Sequence, residues 1–322
     1  MKKMKLLALT AAIGTSLVFA ACGNGADTGT NGEGSDAAQE QKQLEGTVKI
    51  DGSSTVYPIM EAVAEEYMIQ QPGVKVSVGF SGTGGGFEKF IAGETQLSNA
   101  SRPIKDSEKA ELEEKGIDYT EFKLAYDGLS VVVNKENDWV DYLTIEELQK
   151  IWIEDGTVKK WSDIRPEWPD EEIKLYSPGS DSGTYDYFNE VVLEEQPIAK
   201  SATLSEDDNV LVQGVVGDKN AMGYFGYAYY LENKDQLKVV PIDGGNGPVE
   251  PTNETIESGE YSPLSRPLFT YVKNSAVAED EAVYDYVKFV LENASVLAEE
   301  VGYVKLPEEE YQKALETLES LK

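Results

Sequence analysis

Ser53-Ser54-Thr55-Val56-Tyr57-Pro58, Ser81-Gly82-Thr83-Gly84-Gly85-Gly86-Phe87 and Ser180-Asp181-Ser182-Gly183-Thr184-Tyr185 are three glycine- and hydroxyl-rich segments. Each runs straight into apolar residues at helical spacing: Ile59, Val63 and Tyr67; Phe87, Phe90 and Ile91; Tyr185, Phe188 and Val192. A helix start leaves backbone N–H groups unpaired and carries the positive end of the dipole. Small residues let a ligand approach that backbone, and Ser or Thr adds hydroxyl donors. One such start is an ordinary N-cap; three in one chain suggest an anion held by converging helix N-termini.

The surrounding pattern is strand–loop–helix. Val48–Ile50 leads into the first loop, the alternating stretch 74–80 into the second, and Ile173–Tyr176 into the third. Leu129–Val133 and Leu268–Val272 read as buried-type strands. Asp207-Asp208-Asn209 offers N-cap chemistry for a helix through Val216, and two amphipathic helices close the chain. This repetition predicts an α/β fold with mainly parallel sheet and sites at the carboxyl ends of strands.

Before the folded part stands a leader. Lys2, Lys3 and Lys5 precede an apolar run from Leu6 to Phe19, too short to span a bilayer well. Ala20-Ala21-Cys22-Gly23 then resembles a bacterial lipobox, with Phe19 where leucine is usual. Residues 1–21 are therefore expected to be a signal peptide. Residues 22–45 are expected to be a lipidated Cys22 followed by a polar tether. Cys22 is the one cysteine in the sequence, so an intrachain disulfide is excluded. The formal net charge is −31, and loss of the three leader lysines takes it three units lower, to −34. Such a surface argues against nucleic acid or anionic lipid as partner.

Histidine is absent, which excludes His-based triads and His metal sites. The second loop lacks the Gly-Lys-Ser/Thr of a P-loop, and Phe87 occupies the third glycine of a dinucleotide fingerprint. In the third loop Asp181 stands where a nucleophile elbow needs serine. No enzyme, metal or cofactor is expected.

The three loops, in this order and at this spacing, resemble those of the phosphate-binding proteins of bacterial phosphate ABC transporters. The stretches 99–104, 143–152, 160–164, 207–215, 223–229 and 263–268 are similar as well. The resemblance implies a two-lobed type II periplasmic-binding-protein fold with two crossover hinge strands, near Ala125–Val131 and Pro263–Thr270. It implies lobe I at 46–128 plus 266–322 and lobe II at 129–265. It also implies a monomeric receptor, lipid-anchored on the outer face of the cell membrane, that delivers phosphate to a permease and its ATPase subunits.

Carried over residue by residue, the phosphate ligands would be Ser54, Thr55, Val56, Thr83, Gly84, Ser182, Gly183 and Thr184. Some members carry an acid, which accepts the phosphate proton, where this chain has Arg102. The same members carry an arginine where this chain has Pro178. Arg102 would then be the relocated and sole side-chain cation of the site, able to offer a bidentate fork. Asp208 or Asp181 would be the proton acceptor, N-capping of their own helices being the other role open to both.

Overall fold

The computed structural model describes residues 43–322 apart from Asp155 and Asp181. Cys22, the leader and most of the tether lie outside the described residues, as does Asp181. The described residues open with strict alternation: β1 (Gly46–Gly52), α1 (Tyr57–Gln70), β2 (Val74–Val78), α2 (Gly82–Ala92) and β3 (Leu97–Ala100). After α3 (Asp106–Glu114) comes β4 (Tyr119–Asn134), 16 residues long. The middle of the chain holds β5 (Leu143–Thr144), α4 (Ile145–Trp152), α5 (Trp161–Ile164), β6 (Lys174–Pro178), α6 (Gly183–Val191), β7 (Thr203–Ser205), α7 (Asp208–Gly217), β8 (Ala221–Gly226) and α8 (Tyr227–Asn233). Three short strands follow, β9 (Leu237–Val239), β10 (Ile242–Asp243) and β11 (Pro248–Val249), and then α9 (Asn253–Glu257). The chain closes with β12 (Ser265–Lys273), α10 (Asn274–Glu279), α11 (Glu281–Glu300), β13 (Val304–Lys305) and α12 (Glu308–Ser320).

The strand path is β2-β1-β3-β12-β4-β8-β6-β7. β1, β2 and β3 pair in parallel, as do β6, β7 and β8. β4 and β12 run antiparallel to each other and join these two parallel groups. The first part of β4, through Gly128, pairs with β12; from Leu129 onward it pairs with β8. One sheet thus passes into the other along β4, with β12 beside its first half. The sequence exposed only the apolar half of β4. Thr120, Glu121 and Lys123 obscured the rest, because their strand is paid for by pairing with β12 rather than by burial of their own side chains.

Helix α2 starts earlier than the apolar pattern predicts. It begins at Gly82 rather than near Phe87, so four of its first five residues are glycine. Glycine weakens a helix by about 1 kcal/mol per residue, so its presence needs a reason. Gly86 supplies one: a Cβ there would lie 2.4 Å from Gly52 Cα. Gly84 has no such constraint, and a Cβ there would meet nothing within 4 Å. The loop is held to β1 by Asp51, which accepts from Ser81 N (3.0 Å) and Ser81 Oγ (2.5 Å) and pairs with Lys89. Burial works to raise the Asp51 carboxyl, but these partners outweigh it and hold it below the usual range.

Candidate functional site

The three loops meet. A Cβ on Gly183 would lie 2.7 Å from Thr55 Cα, so the start of α6 abuts the first loop where only glycine fits. Two adjoining cavities surround this contact. The smaller, about 320 Å³, is lined by Ser53, Ser54, Thr55, Gly82, Thr83, Gly84, Ser101, Arg102, Lys105, Asp186, Glu190 and Arg266. The larger, about 840 Å³, takes Ser182, Gly183 and Thr184 from the third loop, with Asp208, Tyr229 and Tyr303 opposite. Ser54, Gly82 and Asp186 line both.

Hydroxyls in the smaller cavity are aimed by local bonds. Ser101 N donates to Thr83 Oγ1 (3.2 Å), and Thr55 Oγ1 donates to Gly183 O (3.4 Å). Ser54 Oγ donates to Asp186 Oδ2 at 2.8 Å. At the third loop, Ser182 Oγ caps α6 by accepting from Thr184 N.

Two arginines reach this cavity. Arg102 forms a fork with Glu108, at 2.9 and 2.7 Å, and donates to Pro103 O. Burial works to raise the Glu108 carboxyl, but the Arg102 fork and the Lys105 N–H outweigh it. Arg266 leaves β12 and donates through Nη2 to Thr55 Oγ1 (2.8 Å), through Nη1 to Glu190 (3.3 Å) and through Nε to Asp127 (3.4 Å). Its guanidinium carbon sits 3.5 Å from the Tyr187 ring centroid. Asp127, on β4, is fully buried. Burial holds its carboxyl above the usual range, with Arg266 pulling it back down. A buried carboxylate of this kind persists only beside a cation, so Asp127 fixes Arg266 in place.

A family model described as a PBP superfamily domain matches residues 32–294. The "Phosphate-binding protein PstS" of Staphylococcus saprophyticus is 46% identical over 322 residues, covering 100% of this chain and 96% of the relative. This chain belongs to the phosphate-binding protein family of the PBP superfamily. Among solved structures it is similar to a "possible phosphate binding protein" of Planctomyces limnophilus. That likeness has 49% identity and a TM-score of 0.83, covering 87% of this chain and 99% of that one. It is also similar to an ABC-type phosphate transport receptor of Vibrio cholerae, at 25% identity and a TM-score of 0.61, covering 81% and 100%. The architecture is the two-lobed type II fold implied by the sequence.

Within this family member the anticipated residues divide into three groups. Ser54, Thr55, Thr83, Gly84 and Arg102 line the smaller cavity, and Ser182, Gly183, Thr184 and Asp208 line the larger. Val56 lines neither: it is buried in the core, and its N–H donates to Ser53 O at 3.2 Å. Arg102 is not the sole cation at the site, because Arg266 and Lys105 line the same cavity. Asp208 receives the Tyr229 hydroxyl, and burial pushes its carboxyl up to about 6. The residue that caps α7 is Asp207, which accepts from Asn209 N at 3.0 Å.

Sequence reasoning passed over Arg266, Asp127, Asp186 and Glu190. A signal for the first two was present. Each is a lone charge in a stretch that otherwise reads as buried strand, and the two have opposite sign.

Proposed function

We propose that this chain is a non-enzymatic receptor that captures inorganic phosphate between two lobes and delivers it to an ABC-transporter permease. The lobes are residues 46–128 plus 266–322, and residues 129–265. Support comes first from one observation: three helix-start loops and two arginines, one of them on β12, converge on adjoining cavities. The relatives add their names, being phosphate-binding proteins across nearly their whole length. Helix starts and guanidinium forks both suit a tetrahedral oxyanion.

On this reading the Ser54, Thr55 and Thr83 hydroxyls, the Gly84 region and the α6 start around Ser182, Gly183 and Thr184 surround the anion. Arg266 and Arg102 supply charge. The lipobox-like segment at Cys22 supports anchoring outside the cell membrane. Among the described residues no helix is long and apolar enough to cross a membrane.

Calorimetric titration of ligand-stripped protein tests the reading. One phosphate per chain is expected, with sulfate and molybdate far weaker and no release of phosphate from an ester. Tighter binding of sulfate or molybdate would reassign the ligand, and ester turnover would refute the receptor role.

A further inference from the structure

Three cations and two carboxylates line the smaller cavity, but two of the cations are already paired with carboxylates outside that lining. Its basic residues are Arg102, Lys105 and Arg266, and Asp186 and Glu190 line it beside them. Glu108 is paired to Arg102 and Asp127 to Arg266. The other titratable groups against this wall are Tyr187 under Arg266 and, in the larger cavity, Tyr57, Glu206, Asp208, Tyr229 and Tyr303. None of these is basic, so with Arg102 and Arg266 already paired a dianion here would meet Asp186 and Glu190 with little net positive charge beside them.

Asp186 and Glu190 are one turn apart on α6, hence on the same face. Both already contact groups suited to hold an anion: Asp186 accepts from Ser54 Oγ, and Glu190 accepts from Arg266 Nη1. An oxyanion without protons would be repelled by both. One that carries O–H groups converts the same contacts into charge-assisted hydrogen bonds. We infer that Asp186 and Glu190 make the cleft selective for the monobasic form of phosphate, each carboxylate accepting one of its two hydroxyl protons. This rests on the phosphate reading above and specifies which phosphate species the site takes.

The test is calorimetry of ligand-stripped protein with inorganic phosphate from pH 6 to 9, in buffers of differing ionisation enthalpy. Above the second ionisation of phosphate, wild type is expected to take up about one proton per phosphate bound, and affinity for total phosphate to fall by about tenfold per pH unit. Asp186→Asn with Glu190→Gln is expected to lose most of that uptake and flatten the slope. Loss of the uptake in Asp208→Asn, with the double variant unchanged, would assign the acceptor to the larger cavity and overturn the inference. Both replaced carboxylates are exposed, so folding should survive. Phosphate binding by wild type without proton uptake at pH 8 overturns the inference, as does a double variant with unchanged uptake. Failure to bind phosphate at every pH would overturn the receptor reading itself.

Discussion

Arg102 and Arg266 reach one cavity from opposite kinds of support. Arg102 is held by Glu108, six residues along the chain, in a pair whose side chains are 26% and 13% exposed. Arg266 is held by Asp127, 139 residues away and 0% exposed. A local, partly solvated pair can lose one member at small cost to the fold, because water reaches the survivor. A buried pair between β4 and β12 cannot, because the survivor is an uncompensated buried charge. On the proposed function, the first arginine is mainly a ligand group, whereas the second serves ligand and fold at once.

The sharpest way to break this comparison is Arg266→Ala. It should cost roughly 3–5 kcal/mol of stability, read by urea unfolding, because Asp127 is stranded. Adding Asp127→Asn should restore most of the stability and none of the phosphate affinity. A single variant as stable as wild type would end the argument.

Arg102→Ala should lower phosphate affinity by roughly 1.5–3 kcal/mol, the usual range for a hydrogen bond to a charged group. It should cost less stability than Arg266→Ala, because Glu108 keeps the Lys105 N–H and some access to water. Arg102→Lys should recover part of the binding, since a point charge cannot make the fork. Equal stability losses at positions 102 and 266 would erase the distinction.

Asp208 extends the comparison to a carboxylate whose identified partner is a phenol rather than a guanidinium. Its folded value is raised to about 6, by burial first, against about 3.9 in an unfolded chain. Between these values the native state binds more protons, so this group lowers stability as pH rises from about 4 to about 6. Asp208→Asn keeps an acceptor for Tyr229. It should stabilise by on the order of 1–2 kcal/mol at pH 7.5 and by little at pH 4. Equal effects at both pH values would show that Asp208 is not desolvated.

The smallest effect is expected within α2. Gly84→Ala should raise stability by about 0.5–1 kcal/mol, since its methyl meets open space and alanine favours helix. Gly86→Ala should lower stability, because its methyl would strike Gly52. Thermal unfolding of the two variants checks the sign.

The residues passed over in the sequence share a property that explains the omission. Arg266 and Asp127 acquire meaning only when β12 lies beside β4, with Arg266 opposite Asp127 in register. Asp186 and Glu190 read as the polar face of a helix until α6 is turned toward the first loop. Arg102 was recognised because its neighbours in sequence match a family pattern. Its fork to Glu108 was equally local, yet needed the turn after Pro103 to bring the two together.

What the sequence determined by itself was set by short-range chemistry. The periodicity of 2 or 3.6, glycine and hydroxyl at helix starts, and the absence of histidine depend on residues a few positions apart. From these came the α/β class, the three loops and the expectation of a bound anion. The tertiary structure decided which charges meet, which are buried, and which loop donors are left facing a cavity. Those follow from strand register and lobe packing, where contacts span more than a hundred residues, and a Coulomb energy depends on distance and dielectric in space rather than on separation along the chain.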